Sequence, residues 1–501
     1  MAPFANVPRL MSWCARPIVF AMCSFAAGPC SAAVIVQHIF SRPVGGLNPD
    51  GANPAAGLVL SGGLLCGTTF NGGLQGAGTA FYLAPDTTGF NAFRAFTNSP
   101  DGGNPRGELT FTRTQLFGTT FGGGSNQVGT VFGGQTNGSV TIIRSFASLS
   151  ADHATNTGGA TPMALLAVSG STIFGTTTAG GAAGNGTIFS INTNGSGFAV
   201  LHNFTALDCV AGTNADGATP AGGLVLSGAT LYGTTSAGGA AGNGTIFSIA
   251  TSGADFATLH SFSTMDPAGA TNAEGAIPMS GLLLTNNVLY GTTLAGGLGG
   301  NGTVFSLETN GGAFTVLHHF SATAPVSGTN SDGASPFAAP ALAGSFLYGT
   351  AAAGGASSTG TLFSVNTNGT QFQTLYSFSP LDAATGTNAD GATPIGGLLL
   401  LGNSLYGTTF SGGPGGVGVA FAFHLSYPPA LITNAVLNED RTVTLSFLGG
   451  PGSLNIVQAA ATLNSPVAWQ NVSTNIADAE GAWQFTDTNL LAARFYRSYA
   501  P

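Results

Sequence analysis

Between residues 34 and 423, short runs of Val, Ile, Leu, Phe, Tyr and Thr alternate with clusters of Gly, Asn and Ser, and the alternation has a period. One copy reads Gly223-Leu224-Val225-Leu226, then Leu231-Tyr232-Gly233-Thr234-Thr235, then Gly244-Thr245-Ile246-Phe247-Ser248-Ile249. It ends Phe256-Ala257-Thr258-Leu259-His260-Ser261-Phe262. Runs of this length, rich in β-branched and aromatic residues and bounded by turn formers, predict four strands, here called a to d. A helix would not survive this density of glycine. The a–b and c–d links are short turns, such as Ser227-Gly228 and Ser252-Gly253. The b–c link is long and ends in Asn-Gly at Asn185-Gly186, Asn243-Gly244 and Asn301-Gly302, a pair that takes positive φ at little cost. The unit is therefore expected to be an antiparallel meander. Its second-strand glycine recurs at Gly67, Gly118, Gly175, Gly233, Gly291, Gly349 and Gly407, with spacings of 51, 57, 58, 58, 58 and 58 residues.

A four-stranded sheet that is apolar on both faces must be covered twice, and packing copies face to face around an axis does this. The ends of the array favour closure over an open solenoid. The last unit stops after its c strand, Val419 to Phe423, while a d-like run, Val34 to Phe40, stands alone at the start. The expectation is an all-β chain: a seven-bladed β-propeller over residues 34–426, whose N-terminal strand completes the last blade. The elements G-L-x-L, Y-G-T-T-x-x-G-G and G-N-G-T-x-F-S, spaced as above from Val34 to Phe423, resemble the GloVer tandem-repeat family of exported bacterial proteins. The resemblance implies an exported or surface protein and carries no catalytic residue. After the linker Pro428-Pro429, residues 427–501 break the repeat. Strand-like runs follow at Val443 to Leu448, Leu454 to Ala459, Trp469 to Val472, Trp483 to Phe485 and Arg494 to Tyr499. They are similar to a small fibronectin-III-like β-sandwich, in which Trp469 and Trp483 are expected to be core residues.

Charge narrows the function. Only 6% of the 501 residues are charged, the net charge is −9, and all ten basic residues are arginine, with none between Ser145 and Asp440. So few cations cannot neutralise a run of phosphates or bind an acidic membrane surface, so no nucleic-acid partner is expected. Arg9 and Arg16, the apolar stretch Pro17 to Ala27 and the small residues Ser31-Ala32-Ala33 form the pattern of a signal peptide over residues 1–33. The mature chain is expected to be secreted or at the cell surface, without membrane insertion. Cys14, Cys23 and Cys30 would leave with the signal. Cys66 and Cys209 fall in different repeats and are not expected to pair.

Candidate chemistry follows the repeat and its exceptions. The crossovers from d to the next a carry T-N-x-D-G-A-x-P, which offers Asp216, Asp332 and Asp390 as calcium candidates. An Asx-type turn before glycine explains the same pattern with fewer ligands, and is favoured. The d strands place His38, Arg94, Arg144, His202, His260, His318 and Tyr376 two residues before a phenylalanine. Seven blades would spread them round the rim, so metal ligation is not expected. The first repeats are irregular and concentrate Arg94, Arg106, Arg113 and Arg144, with Asp152-His153 nearby. Arg106, Asp152 and His153 are the candidate ligand-binding residues, for an anion near Arg106. Against this, Arg113 lies at an a–b turn, and scattered solvated arginines are the favoured explanation of the cluster. No nucleophile–base pair, phosphate loop or cofactor motif is present. The reading is a non-catalytic extracellular or cell-surface binding or adhesion module for polysaccharide or a surface protein. The alternative is a carbohydrate-active propeller enzyme with its acids on the loop face, for which a pair such as Asp152 and Asp208 would have to converge.

Overall fold

The computed structural model describes residues 33–425 apart from 46, 114, 152 and 153. Beyond them it describes 431–438, 440, 442–449, 454–461, 467, 469–478, 482–488 and 495–499. The signal-peptide expectation for residues 1–33 and the Pro428-Pro429 linker thus fall outside the described residues, Ala33 apart. Every helix or strand assigned among the described residues is a strand, so the chain is all-β. It divides into a unit of residues 31–425 and a C-terminal unit from Ser426.

The larger unit is a propeller-like succession of antiparallel sheets, most of them four-stranded. In the copy read above, the strands are Val225–Ser227, Thr230–Thr235, Thr245–Ala250 and Ala257–Ser261, hydrogen-bonded in that order. The marker glycine sits where it does because its cross-strand partner is a phenylalanine. Gly233 faces Phe247, and a Cβ there would lie 2.6 Å from the tip of that ring. The two threonines that follow have separate tasks. Thr235 Oγ1 lies 2.9 Å from Thr245 Oγ1 and donates to Ala237 O at 3.1 Å, tying the strand end to its loop. Thr234 Oγ1 donates to Ser280 O in the next repeat at 2.8 Å. Strands c and d are out of register by one residue between Ile246 and Phe247, a bulge that turns His260 to the rim.

The strand Val34–Ile39 pairs antiparallel with Val419–His424, Val34 opposite Phe423 and Ile39 opposite Val419. The first strand of the array therefore lies in the sheet of the last repeat, as expected from the sequence. The second repeat departs from the pattern: Gly103–Pro105 and Thr110–Phe111 both pair with Leu116–Gly122, making a five-stranded sheet.

Packing runs from each sheet to the next. The phenylalanine ending each d strand is fully buried and lies against the c-strand phenylalanine of the following sheet. Phe262 and Phe305 have centroids 5.6 Å apart, Phe320 and Phe363 5.2 Å, and Phe378 and Phe421 5.5 Å. Phe40, at the end of the N-terminal strand, lies 5.3 Å from Phe81 of the first repeat. Its core also joins Tyr406, Ala420 and Ala422 to Leu58, Leu65 and Leu83. The sheet that holds both ends of the array is thus buried on one face by the first repeat and on the other by Leu362 and Phe378 of the sixth.

In the C-terminal unit, Leu431–Leu437, Val443–Leu448 and Ala482–Asp487 form one three-stranded sheet. Gln470–Ile476, Leu454–Ala460 and Phe495–Tyr499 form the other. Leu445, Phe447 and Trp483 share a core with Val457 and Ala477. Trp483 stacks on Phe447 with centroids 3.8 Å apart, a core residue as expected. Trp469 is only half-buried and lies 4.4 Å beneath the Arg497 guanidinium. The strand Leu431–Leu437 was not expected, because its central Thr-Asn interrupts the apolar alternation.

Candidate functional site

The d-strand ring and the crossover acids, separate features in the sequence, meet as a clamp at six of the seven crossovers. His202 Nε2 lies 2.9 Å from Asp216 Oδ2, which also accepts from the Thr205 amide at 3.0 Å. The other oxygen of Asp216 is taken by the Thr205 hydroxyl. His318, Asp332 and Ser321 repeat this at 3.0 and 2.9 Å. Tyr376 donates to Asp390 at 2.7 Å, and Ser379 supplies the amide at 3.0 Å. Longer versions join His38 to Asp50 and His260 to Glu274, each at 3.4 Å, and Arg94 pairs with Asp101. Burial pushes the carboxyls of Asp216 and Asp332 up, but hydrogen bonds from the histidine and the hydroxyl outweigh it and leave them below their usual range. Each His ring also stacks on a phenylalanine of the next sheet, His202 on Phe256 at 3.9 Å and His38 on Phe90 at 3.6 Å. At the crossover from the second repeat to the third, whose pattern lacks the acid, the Arg144 guanidinium lies 3.8 Å over Phe198 instead.

The aspartates offered as calcium candidates, for which the sequence favours a turn, have other partners. Asp216, Asp332 and Asp390 are buried and both oxygens of each are engaged. No group of three or more potential metal ligands occurs among the described residues. The turn expected of the aspartate is made by the asparagine two residues earlier. Asn214 Oδ1 accepts from the amides of Gly217 and Gly239, while its Nδ2 donates to Thr205 O and Gly217 O.

These turns stitch the crossovers to the b–c loops. Within a repeat, Ala218 and Ala237 exchange backbone hydrogen bonds at 2.7 and 3.1 Å. Between repeats, the residue before the crossover proline donates its amide to the preceding b–c loop. Thr219 bonds Asn185 O at 2.9 Å, Ile277 bonds Asn243 O at 3.0 Å, and Asn53 bonds Val417 O at 2.8 Å. That residue has positive φ in every repeat, including +60° at Ile277, a costly conformation for a β-branched side chain. The long segments thus form one continuous hydrogen-bonded surface. Beside it, Phe410, Phe70 and Phe121 follow the paired threonines of three neighbouring repeats and are half-buried, where other repeats carry Thr178, Ser236, Leu294 and Ala352. The rings of Phe70 and Phe121 are 6.5 Å apart.

The segments that follow the crossover prolines meet at one place. Residues 55–57, 106–108, 163–165, 221–225, 279–282, 337–339 and 395–397 line a single cavity of about 200 Å³. Most of this wall is Gly, Ala, Met, Leu, Ile and Phe. The second repeat is the exception, placing Arg106 where others have Ala55, Met163 or Ile395, and Glu108 where others have Gly57, Leu165 or Ala339. Arg106 reaches across the cavity, its guanidinium 5.5 Å from the ring centroid of Phe337. It has no ion pair among the described residues, and burial lowers its pKa. Glu108 lies in the wall against Gly57 and Gly397, where a Cβ would fall 2.3 and 2.7 Å from its Oε1. Burial pushes its carboxyl up, against the opposing effect of the Gly57 and Gly397 amides.

The same repeat breaks the inter-sheet threonine bonds. Thr408 donates to Ala56 O, Thr119 to Ala164 O, Thr176 to Gly222 O, Thr292 to Ala338 O and Thr350 to Gly396 O, at 2.8 to 3.4 Å. Thr68, the residue that would serve Gly107, is buried with no partner for its hydroxyl among the described residues.

Of the candidate ligand-binding residues, Arg106 lies in this cavity, while Asp152 and His153 lie outside the described residues. Asp208 is exposed and caps its own turn, accepting from the amides of Val210 and Ala211 at 2.9 and 2.7 Å. The four arginines do not converge: Arg94 is in a clamp, Arg144 over Phe198, and Arg113 exposed at its turn. Glu108 was missed, although it departs from the repeat as plainly as Arg106. Cys66 and Cys209 are free thiols, and burial pushes that of Cys66 up to about 12.

A family model described as the Gloeobacter/Verrucomicrobia repeat matches residues 25–214 and 152–329. No curated protein matches the chain significantly. Among solved structures, the chain is similar to an oligogalacturonate lyase from Vibrio parahaemolyticus, with 9% identity over 82% of this chain and 98% of that one, at a TM-score of 0.43. It is similar also to a puromycin-hydrolyzing peptidase from Mycobacterium tuberculosis, with 12% identity over 82% and 62% of the two chains and a TM-score of 0.41. TolB from Acinetobacter baumannii gives 12% identity, 58% of each chain and a TM-score of 0.32. None of these likenesses carries an activity to this chain.

Proposed function

We propose, for a chain that belongs to the Gloeobacter/Verrucomicrobia repeat family, that residues 34–426 close into a seven-bladed propeller followed by a fibronectin-III-like sandwich. On this reading it is a non-catalytic extracellular or cell-surface module that binds polysaccharide or a surface protein through its loop face, and a signal at residues 1–33 exports it. The observation that carries the binding role is the stitched surface of crossovers and b–c loops. Backbone bonds within and between repeats hold it in one conformation, so little ordering entropy is lost when a partner docks. Its side chains are mainly Gly, Ala, Asn, Ser and Thr, which suit a hydroxyl-rich polymer. The Phe410, Phe70 and Phe121 arc adds an apolar sector against which a sugar ring can lie.

Support for catalysis is weaker. Glycoside hydrolysis requires two carboxyl groups roughly 5 to 9.5 Å apart, and among the described residues Glu108 is the one carboxyl lining the shared cavity. The test is capture of the full chain on a panel of neutral polysaccharides, with the bound sugar analysed by mass. Capture of intact polymer that weakens in the Phe70→Ala/Phe121→Ala variant is expected. Cleaved sugar would overturn the non-catalytic reading, and capture unchanged in that variant would overturn the loop-face assignment.

A further inference from the structure

We infer that the cavity shared by the seven repeats is a binding site for a single carboxylate group, held by the Arg106 guanidinium in front of Phe337 with the Glu108 carboxyl beside it. The inference rests on the closed-ring reading but not on the loop face as a binding surface. Three observations on different residues lead to it. First, Arg106 is half-buried, yet among the described residues no carboxylate meets it, in a chain whose acids outnumber its arginines by 19 to 10. A guanidinium presents five N–H donors in a planar fork that matches a carboxylate, and here that fork lines a partly open cavity. Second, the space is small. About 200 Å³ in a partly open cavity admits one small acidic group at a time. Third, the irregularity is confined to one sector of the wall. Arg106 and Glu108 flank the bend at Gly107 and both line the cavity, and the hydroxyl of Thr68, which would bond Gly107, has no partner among the described residues.

The chemistry favours a monoanion. One guanidinium balances one carboxylate, whereas a phosphate dianion would leave charge unbalanced against an otherwise apolar wall. Burial raises the Glu108 carboxyl, so it holds a proton more readily than an exposed acid and can donate that proton's hydrogen bond to a ligand oxygen. Phe337 and the neighbouring Met279 and Ile395 offer an apolar surface to the rest of the acid. The same group has two sources, a free small acid or the uronate unit of an acidic polysaccharide, and both present it identically to Arg106.

The experiment titrates the full chain with acetate, glucuronic acid, a short oligo-uronate and, as the neutral control, glucose, using calorimetry. Two variants borrow residues the repeat already uses at these positions. Arg106→Met copies Met163 and Met279, and Glu108→Gly copies Gly57 and Gly397, so both are expected to fold. A carboxylate should bind the wild type and lose at least about tenfold in affinity in Arg106→Met, the scale of one charge-assisted pair, with glucose silent throughout. Tighter binding of the oligo-uronate than of glucuronic acid identifies the polymer as source, and the reverse identifies the free acid. Equal carboxylate affinity in the wild type and Arg106→Met, or no carboxylate binding by the folded wild type, overturns the site. Capture of neutral polysaccharide, scored on the same variant, separates this outcome from failure of the loop-face reading.

Discussion

Truncating Phe40 tests whether the N-terminal strand belongs to the same cooperative structure as the repeats. Phe40 has no solvent exposure and packs 5.3 Å from Phe81. Phe262 is likewise buried and packs 5.6 Å from Phe305, between two ordinary repeats. Removing a fully buried phenyl ring costs about 3–5 kcal/mol, from lost transfer energy and the cavity left behind. Both sites are walled by strands on two sides and cannot collapse easily, so the upper half of that range applies to each. Phe40→Ala and Phe262→Ala should therefore destabilise the chain equally to within about 1 kcal/mol. Urea unfolding followed by far-ultraviolet circular dichroism, with refolding points overlaid to establish reversibility, reads both values. If Phe262→Ala costs about 4 kcal/mol and Phe40→Ala less than about 1, the first strand is an ornament on an open array. The reasoning from its register with Val419–His424 would then fail.

Three further outcomes follow from individual residues. Ile277→Asn should stabilise the chain by about 1 kcal/mol, because asparagine tolerates φ of +60° and can bond the preceding repeat. Asn53 and Asn104 already do this, to Phe410 O and Phe70 O at 2.8 and 2.9 Å, and a lowered melting temperature would refute the strain argument. Asp216 and Asp332 are held below their usual range, so their clamps contribute stability above the unfolded value of about 3.9 that is lost as pH falls through the folded value. Asp216→Asn/Asp332→Asn should accordingly lower the urea midpoint at neutral pH and converge with the wild type in acid, and a constant difference at every pH would exclude the clamps as its source. Glu108 is shifted upward, so the sign reverses: its ionisation costs stability as pH rises through the folded value, and no cost exists below about 4.3. Glu108→Gln should be more stable than the wild type at pH 8 and equal to it at pH 3.5, and an equal gain at both values would show that charge is not the cause.

The parts of the fold that depend on single residues repeated in place were legible in the sequence. The glycine before the paired threonines announces the phenylalanine lying across it. The unpaired d-like run at Val34 announces the sheet it completes. What escaped was pairing between features. His202 and Asp216, His260 and Glu274, His318 and Asp332, and Tyr376 and Asp390 are each 14 residues apart, yet the d-strand ring and the crossover acids look independent until the bulge aims one at the other. The second repeat held the clue, since the crossover that leaves it loses the acid where its d strand carries Arg144, and that guanidinium turns to Phe198. Glu108 escaped for another reason. It stands alone in a Gly-Leu motif, and a lone acid has no partner in sequence to draw attention to it. The C-terminal strand Leu431–Leu437 escaped because its polar centre hides a β-bulge, between Ile432 and Asn434.

The position of the irregularity follows from the symmetry of the array. A rim clamp meets only its own repeat and the next, so the same charged pair can be written into repeat after repeat without one copy opposing another. A residue facing the shared cavity meets every other copy of itself. Arginines from every repeat crowded around about 200 Å³ would repel one another strongly at low dielectric, and as many glutamates would do the same. Charge can enter that cavity only by breaking the repeat, once, and the chain does so at Arg106 and Glu108 while the clamps recur around the rim. In an array of this kind the repeated polar residues are therefore structural, and chemistry specific to one ligand has to be sought where a single copy deviates.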